Sequence, residues 1–228
     1  MRSNSINKSS GFTIIELTLA MTFLAFVLVF STTIIVQLTQ TYTKGLTIKQ
    51  INQAGRSVTD DLSRSLQVSS VGTVNLDRVA NGYICVGKSA YIWNPLYQNN
   101  SSNFLPDTYN LGGEPITLAR VESDLIGNCT GTVPANITPD VSNTSLLSGN
   151  ARVINATATR STADPRLVNV RFILGTYDRS ETAAINSGDT DEIFNTVYYD
   201  GSDYTCRTDR LGNFCAFAEF ATTVYVSR

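Results

Sequence analysis

The chain has 228 residues, a formal net charge of −2 and no histidine. Without histidine there is no Ser-His-Asp or Cys-His arrangement for hydrolysis, and no imidazole to hold zinc. The slightly acidic balance suits a phosphate backbone poorly, so nucleic acid is not an expected partner.

Residues 1–11 (MRSNSINKSSG) carry Arg2 and Lys8 and no acid, which marks a short leader held on the cytoplasmic side. From Phe12 to Leu38 the only ionisable side chain is Glu16. As a helix, residues 12–36 rise roughly 37 Å against ~30 Å of hydrocarbon, enough to span a membrane. A carboxylate inside such a segment costs a few kcal/mol unless it has a partner. The apolar core exceeds the ~7–15 residues of a secretory signal, and Gln37-Leu38-Thr39-Gln40-Thr41-Tyr42 offers no Ala-x-Ala-like site. The first cysteine, Cys85, lies too far along to be lipidated near the leader.

Gly11-Phe12-Thr13-Ile14-Ile15-Glu16-Leu17 after a short basic leader resembles the signal of type IV prepilins and their relatives. The resemblance implies cleavage by a prepilin peptidase between Gly11 and Phe12, N-methylation of Phe12, and a role for Glu16 in assembly. Cleavage creates an amine on Phe12, and in a low-dielectric filament core a neighbouring subunit's amine can pair with Glu16. The partners so implied are other pilin subunits through the N-terminal helix, the peptidase, the assembly platform and the membrane.

After Lys44 the helical spacing continues with a different polarity. Ile48, Ile51, Gly55, Val58, Leu62 and Leu66 recur every three or four residues, while Lys49, Gln53, Arg56, Asp60 and Arg64 fall on other faces. Residues 41–68 therefore read as an amphipathic continuation of the apolar helix at 12–40, roughly 85 Å of helix in all, ended by Ser69-Ser70-Val71-Gly72. A break into two helices would come near Gly45, which costs about 1 kcal/mol relative to alanine. Many major pilins carry a proline midway along this helix; here Ser31-Thr32-Thr33 stands there, and the first proline is Pro95. That departure points to a minor pilin or a pseudopilin rather than a bulk filament subunit.

Residues 69–228 are rich in Ser, Thr, Asn, Gly and β-branched types and are expected to form one β-rich head. Strands are predicted over 82–93, 116–121, 151–159, 167–174 and 217–226, the last with alternating polarity. Between them, 94–113 and 129–150 read as long loops. Gly82-Tyr83-Ile84-Cys85-Val86-Gly87-Lys88-Ser89 matches the phosphate-loop pattern letter for letter. That chemistry needs a flexible loop leading into a helix. The β-forming residues here predict strand, tight turn at Gly87-Lys88 and returning strand instead.

All four cysteines, Cys85, Cys129, Cys206 and Cys215, lie in the head. In an outward-facing domain they predict two disulfides, with three connectivities open. The favoured pairing is Cys85–Cys129 and Cys206–Cys215; the second closes a loop of about ten residues whose place near the C-terminus resembles the disulfide-bounded loop of many pilins. Some major pseudopilins hold calcium in such a loop, and Asp200, Asp203 and Asp209 with Gly201 and Asn213, or Asp189, Asp191 and Glu192, supply the right oxygens. Neither spacing matches an EF-hand, so solvated turns are the preferred reading and no metal or cofactor is assigned. Sequons at Asn100, Asn128, Asn136, Asn143 and Asn155 follow from Asn- and Thr-rich loops.

The expected fold class is α+β: a long N-terminal membrane-spanning and amphipathic helix packed on a disulfide-bonded, pilin-like β head. The expected function is structural rather than enzymatic. The resemblance implies a minor type IV pilin held in the inner membrane with its head outside and then built into a cell-surface pilus. The alternatives are a type II secretion pseudopilin, a pilus-displayed adhesin or DNA-uptake subunit, and an uncleaved membrane-anchored binding domain.

Overall fold

The computed structural model describes residues 13–95, 107–127, 129–147, 150–177, 196–199, 203–206 and 215–227. The chain divides into two compact units, Met1–Tyr42 and Thr43–Arg228.

In the first unit the described residues are Thr13 and the opening part of helix α1, Ile14–Val68. Neither proline nor glycine interrupts the sequence between Phe12 and Lys44, so nothing local opposes the helix. Every side chain from residue 13 to residue 39 is exposed, including Phe23, Phe26 and Phe30. The helix continues unbroken through Gly45.

In the second unit the remainder of α1 buries one face: Ile51, Gly55, Val58, Leu62 and Leu66. Lys49, Gln53, Arg56, Asp60 and Arg64 are exposed, on the faces the spacing predicts. Ile48 departs from the expectation and is 42% exposed. Periodicity shows which face a residue occupies but not where the surface it packs against ends, and that surface begins at Ile51.

The strands are, in chain order, β1 Val74–Asn75, β2 Tyr83–Val86, β3 Ser89–Ile92, β4 Asn110–Leu111, β5 Glu114–Pro115, β6 Ala119–Glu122, β7 Asn136–Ile137, β8 Thr144–Ser145, β9 Ala151–Arg160, β10 Leu167–Thr176, β11 Tyr198–Tyr199, β12 Tyr204–Thr205 and β13 Phe217–Tyr225. They form a five-stranded sheet β1-β2-β3-β6-β8 and a three-stranded sheet β13-β10-β9, with two small sheets, β5-β4-β7 and β11-β12. β1-β2-β3-β6-β8 and β13-β10-β9 are antiparallel throughout. The segments 94–113 and 129–150 are not simple loops, because they contribute β4, β7 and β8. Two-residue strands leave no period in the sequence, and only pairing with a neighbour makes them strands.

The main core lies where α1 meets both large sheets. Val58, Leu62 and Leu66 join Ile84, Val86 and Tyr91 from one sheet and Trp93 just past its strand β3 with Val153, Val170, Phe172, Leu174 and Val224 from the other. Alternate residues of β2 and β3 point the other way: Tyr83, Cys85, Ala90 and Ile92 build a second core with Ile116, Val121, Ile126 and Ile137. A third, smaller cluster joins Ile154, Ile173, Val197 and Cys215. Pairing of β9 with β10 slips at Ile173/Leu174, opposite Ile154. This bulge lets Val153 and Ala156, three residues apart, both face the main core.

A polar cluster pins α1 to the five-stranded sheet. The Tyr91 hydroxyl donates to Asp61 Oδ2 at 2.7 Å and lies 2.8 Å from Ser65 Oγ, while Arg120 Nη1 donates to Asp61 Oδ1 at 3.1 Å. Burial, reinforced by the hydrogen bond to Asp61, raises the pKa of the Tyr91 hydroxyl well above that of an ordinary phenol. The C-terminus is tied back to the end of α1, where Ser227 N donates to Ser69 O at 3.0 Å and Val71 N to Ser227 O at 3.2 Å.

Candidate functional site

Glu16 stands at the third position of α1, and its carboxylate is not loose. Thr13 precedes the helix, and its backbone N–H and hydroxyl both donate to Glu16 Oε2 at 3.0 Å. Glu16 N donates back to Thr13 Oγ1 at 3.3 Å, and Leu17 N donates to Thr13 O at 3.1 Å as the first full helical bond. This is a reciprocal capping box: each end residue satisfies a backbone donor that the helix leaves orphaned. A negative charge in the first turn also complements the helix dipole. Both bonds reach one oxygen; among the described residues Oε1 accepts no hydrogen bond, and it remains available to a donor from outside.

Beyond Glu16 the helix removes its own polarity. The hydroxyls of Thr18, Thr22, Thr32, Thr33 and Thr39 each donate to a backbone carbonyl three or four residues back, at 2.7 to 3.1 Å. A threonine so bonded presents mainly its methyl group, so the segment keeps an apolar surface despite its hydroxyls. The segment is long and apolar enough to cross a membrane. Its exposed apolar side chains require lipid, or other apolar helices, to cover them.

Gly11 and Phe12, the residues of the expected cleavage and methylation, lie outside the described residues. Thr13 is the residue that sequence reasoning passed over. Its signal was present as Thr-x-x-Glu ahead of an apolar run, the pattern of a helix start.

The phosphate-loop pattern is a β-hairpin. β2 and β3 pair Tyr83 with Ile92 and Val86 with Ser89, and no helix follows within residues 82–95. Gly87 makes the turn at φ +63°, where a Cβ would sit 2.6 Å from Ser69 Oγ, so close approach of the backbone explains this glycine.

Both disulfides are present, Cys85–Cys129 in the second core and Cys206–Cys215 beside the third. The first bonds a buried strand residue to Cys129, which adopts φ +70° just after the short helical turn Ser123–Ile126. Of the candidate calcium ligands Asp203 is described and exposed, whereas Asp189, Asp191, Glu192, Asp200, Gly201, Asp209 and Asn213 lie outside the described residues, as do Asn100 and Asn128 of the sequons. Among the described residues no three His, Cys, Asp or Glu side chains converge.

Comparison with protein-family models, with curated proteins and with solved structures finds no significant match to this chain.

Proposed function

We propose that the chain is a minor type IV pilin, a subunit stored in the membrane and built into a surface filament through its N-terminal helix. The observation that carries this reading is the opening segment of α1, residues 14–39, apolar and exposed throughout and bearing one carboxylate in its first turn, behind a Gly-Phe junction and a basic leader. Such a helix is stable in lipid and equally so among like helices, so transfer from one to the other exchanges apolar contact for apolar contact.

Glu16 then sets the register. Cleavage after Gly11 leaves a cationic amine on Phe12, and the Oε1 of a neighbouring subunit's Glu16 accepts from it. The pair offsets the cost of a buried carboxylate only when the two helices are axially matched, which makes the interaction a selector of position rather than a source of driving force. Energy for extraction from the membrane comes from an assembly ATPase elsewhere. The two disulfides suit a head that resides in an oxidising compartment. The unbroken helix through Ser31-Thr32-Thr33 serves a type II secretion pseudopilin equally well, and the filament with which the chain co-purifies separates the two readings.

The test is Glu16→Ala in a host that carries type IV assembly machinery. Membrane insertion and leader removal are expected to be unchanged, while recovery of the subunit in sheared filaments falls at least tenfold. Incorporation at the wild-type level would contradict the pairing.

A further inference from the structure

Residues 39–50 carry α1 from its apolar opening segment to Ile51, the first buried residue of the helix. A helical stretch of that length is marginal in water unless packing supports it. None of residues 39–50 is buried, and Gln40, Lys44, Lys49 and Gln50 make the stretch more polar than residues 14–38. The division of the chain into its two compact units falls inside it, between Tyr42 and Thr43.

The sequence supplies little helix stability of its own here. Thr39, Thr41, Tyr42, Thr43, Thr47 and Ile48 are β-branched or aromatic and lose side-chain freedom in a helix, and Gly45 is a poorer helix former than any of them. No Asp or Glu stands between Glu16 and Asp60, so neither Lys44 nor Lys49 has an acid one turn away to brace the helix. The hydroxyls of Thr39, Thr41 and Thr47 donate to the carbonyls of Ile35, Gln37 and Thr43 at 2.9, 3.0 and 3.1 Å, drawing on the same oxygens that hold the helix. Packing does not account for the glycine. A Cβ built on Gly45 meets nothing within 4 Å, whereas at Gly55 the ring of Phe220 occupies the place a Cβ would take. Gly55 answers to a neighbour, and Gly45 bears only on the stability of the helix that contains it.

We propose that residues 39–50 are a hinge, a stretch of α1 that unwinds and reforms on its own while the segment before it and the head after it keep their folds. Opening this stretch exposes no buried side chain, because the first of these belongs to Ile51. Its free energy is therefore set by local helix stability and not by the global stability of the head. With the turns around Gly45 open, the head reorients without unfolding and without displacement of the apolar segment. This inference rests on exposure and composition and does not depend on the pilin reading.

Amide hydrogen exchange of the full chain in detergent micelles, read by mass spectrometry of its peptic peptides, tests the hinge. Corrected for intrinsic rates, amides within 41–50 are expected to exchange at least tenfold faster than those within 56–66. Gly45→Ala should slow exchange in 41–50 about fivefold, the ratio that alanine for glycine gives in a helix that opens locally, and leave 56–66 and the melting temperature of the head unchanged. Gly55→Ala, the same exchange of residues in the packed part of α1, should leave 41–50 unchanged. Protection of 41–50 equal to that of 56–66, or exchange there that Gly45→Ala does not alter, would overturn the proposal. So would a parallel slowing in 56–66 on Gly45→Ala, since the stretch would then open only together with the head.

Discussion

Gly55 lies on the buried face of α1, and a Cβ built there would stand 2.1 to 2.5 Å from three ring carbons of Phe220 on β13. The ring end rests on the helix backbone itself, and the same ring stacks on Phe172 with centroids 5.5 Å apart and planes 24° from parallel. Gly55→Ala therefore sets two effects against each other. The helix gains about 1 kcal/mol of intrinsic propensity. Overpacking costs about 1–3 kcal/mol, and withdrawal of the ring from Phe172 forfeits part of a contact worth about 0.5–1.5 kcal/mol. The net expectation is destabilisation by about 1–2 kcal/mol, a fall in melting temperature of about 2–8 °C for a head of this size. With Phe220→Ala the obstacle is gone and only propensity remains, so Gly55→Ala should become stabilising by up to about 1 kcal/mol. Thermal and urea unfolding of the four proteins of this cycle, with disulfides intact, measures the coupling. A Gly55→Ala effect of the same sign in both backgrounds would refute the steric argument.

Cys85→Ala with Cys129→Ala should cost about 4 kcal/mol on the loop-entropy model and the Cys206–Cys215 pair about 2.7 kcal/mol; urea midpoints of the two double variants check the order. Tyr91 ionises above its ordinary value in the folded state, so its contribution is fully present below pH ~10 and is lost as pH rises beyond that. Tyr91→Phe should flatten the decline in stability between pH 9 and pH 11 relative to wild type, as followed by chemical denaturation; an unchanged slope would show that the hydroxyl is not the titrating group.

Much of the fold was legible in the sequence because it rests on long-range periodicity. The buried stripe of α1, the hairpin at Gly87 and the alternation of β13, where Ala218, Phe220, Thr222 and Val224 turn inward, are patterns carried by the residues themselves. Cysteine count and location predicted two disulfides but left three connectivities open; the observed pairs are those favoured from the short C-terminal loop and its resemblance to the disulfide-bounded loop of pilins. Less visible were features that arise only on assembly. Strands β4, β7 and β8 exist because a neighbour pairs with them, and Ile48 is exposed because the packing surface ends. That β9 is the outer strand of its sheet among the described residues has no sequence signature, since edge and centre strands share the same composition until the sheet order is known. At the helix start, the lone acid was conspicuous in an apolar run, while the threonine that holds it was concealed by being an ordinary residue in an ordinary place.

The central claim is that Glu16 serves an assembly created by cleavage, and the mass of the mature chain tests it most directly. Intact-mass and N-terminal peptide analysis of protein recovered from membranes should show a chain that begins at Phe12 and carries one added methyl group. A chain that retains Met1 to Gly11 in cells with an active prepilin peptidase would contradict the account.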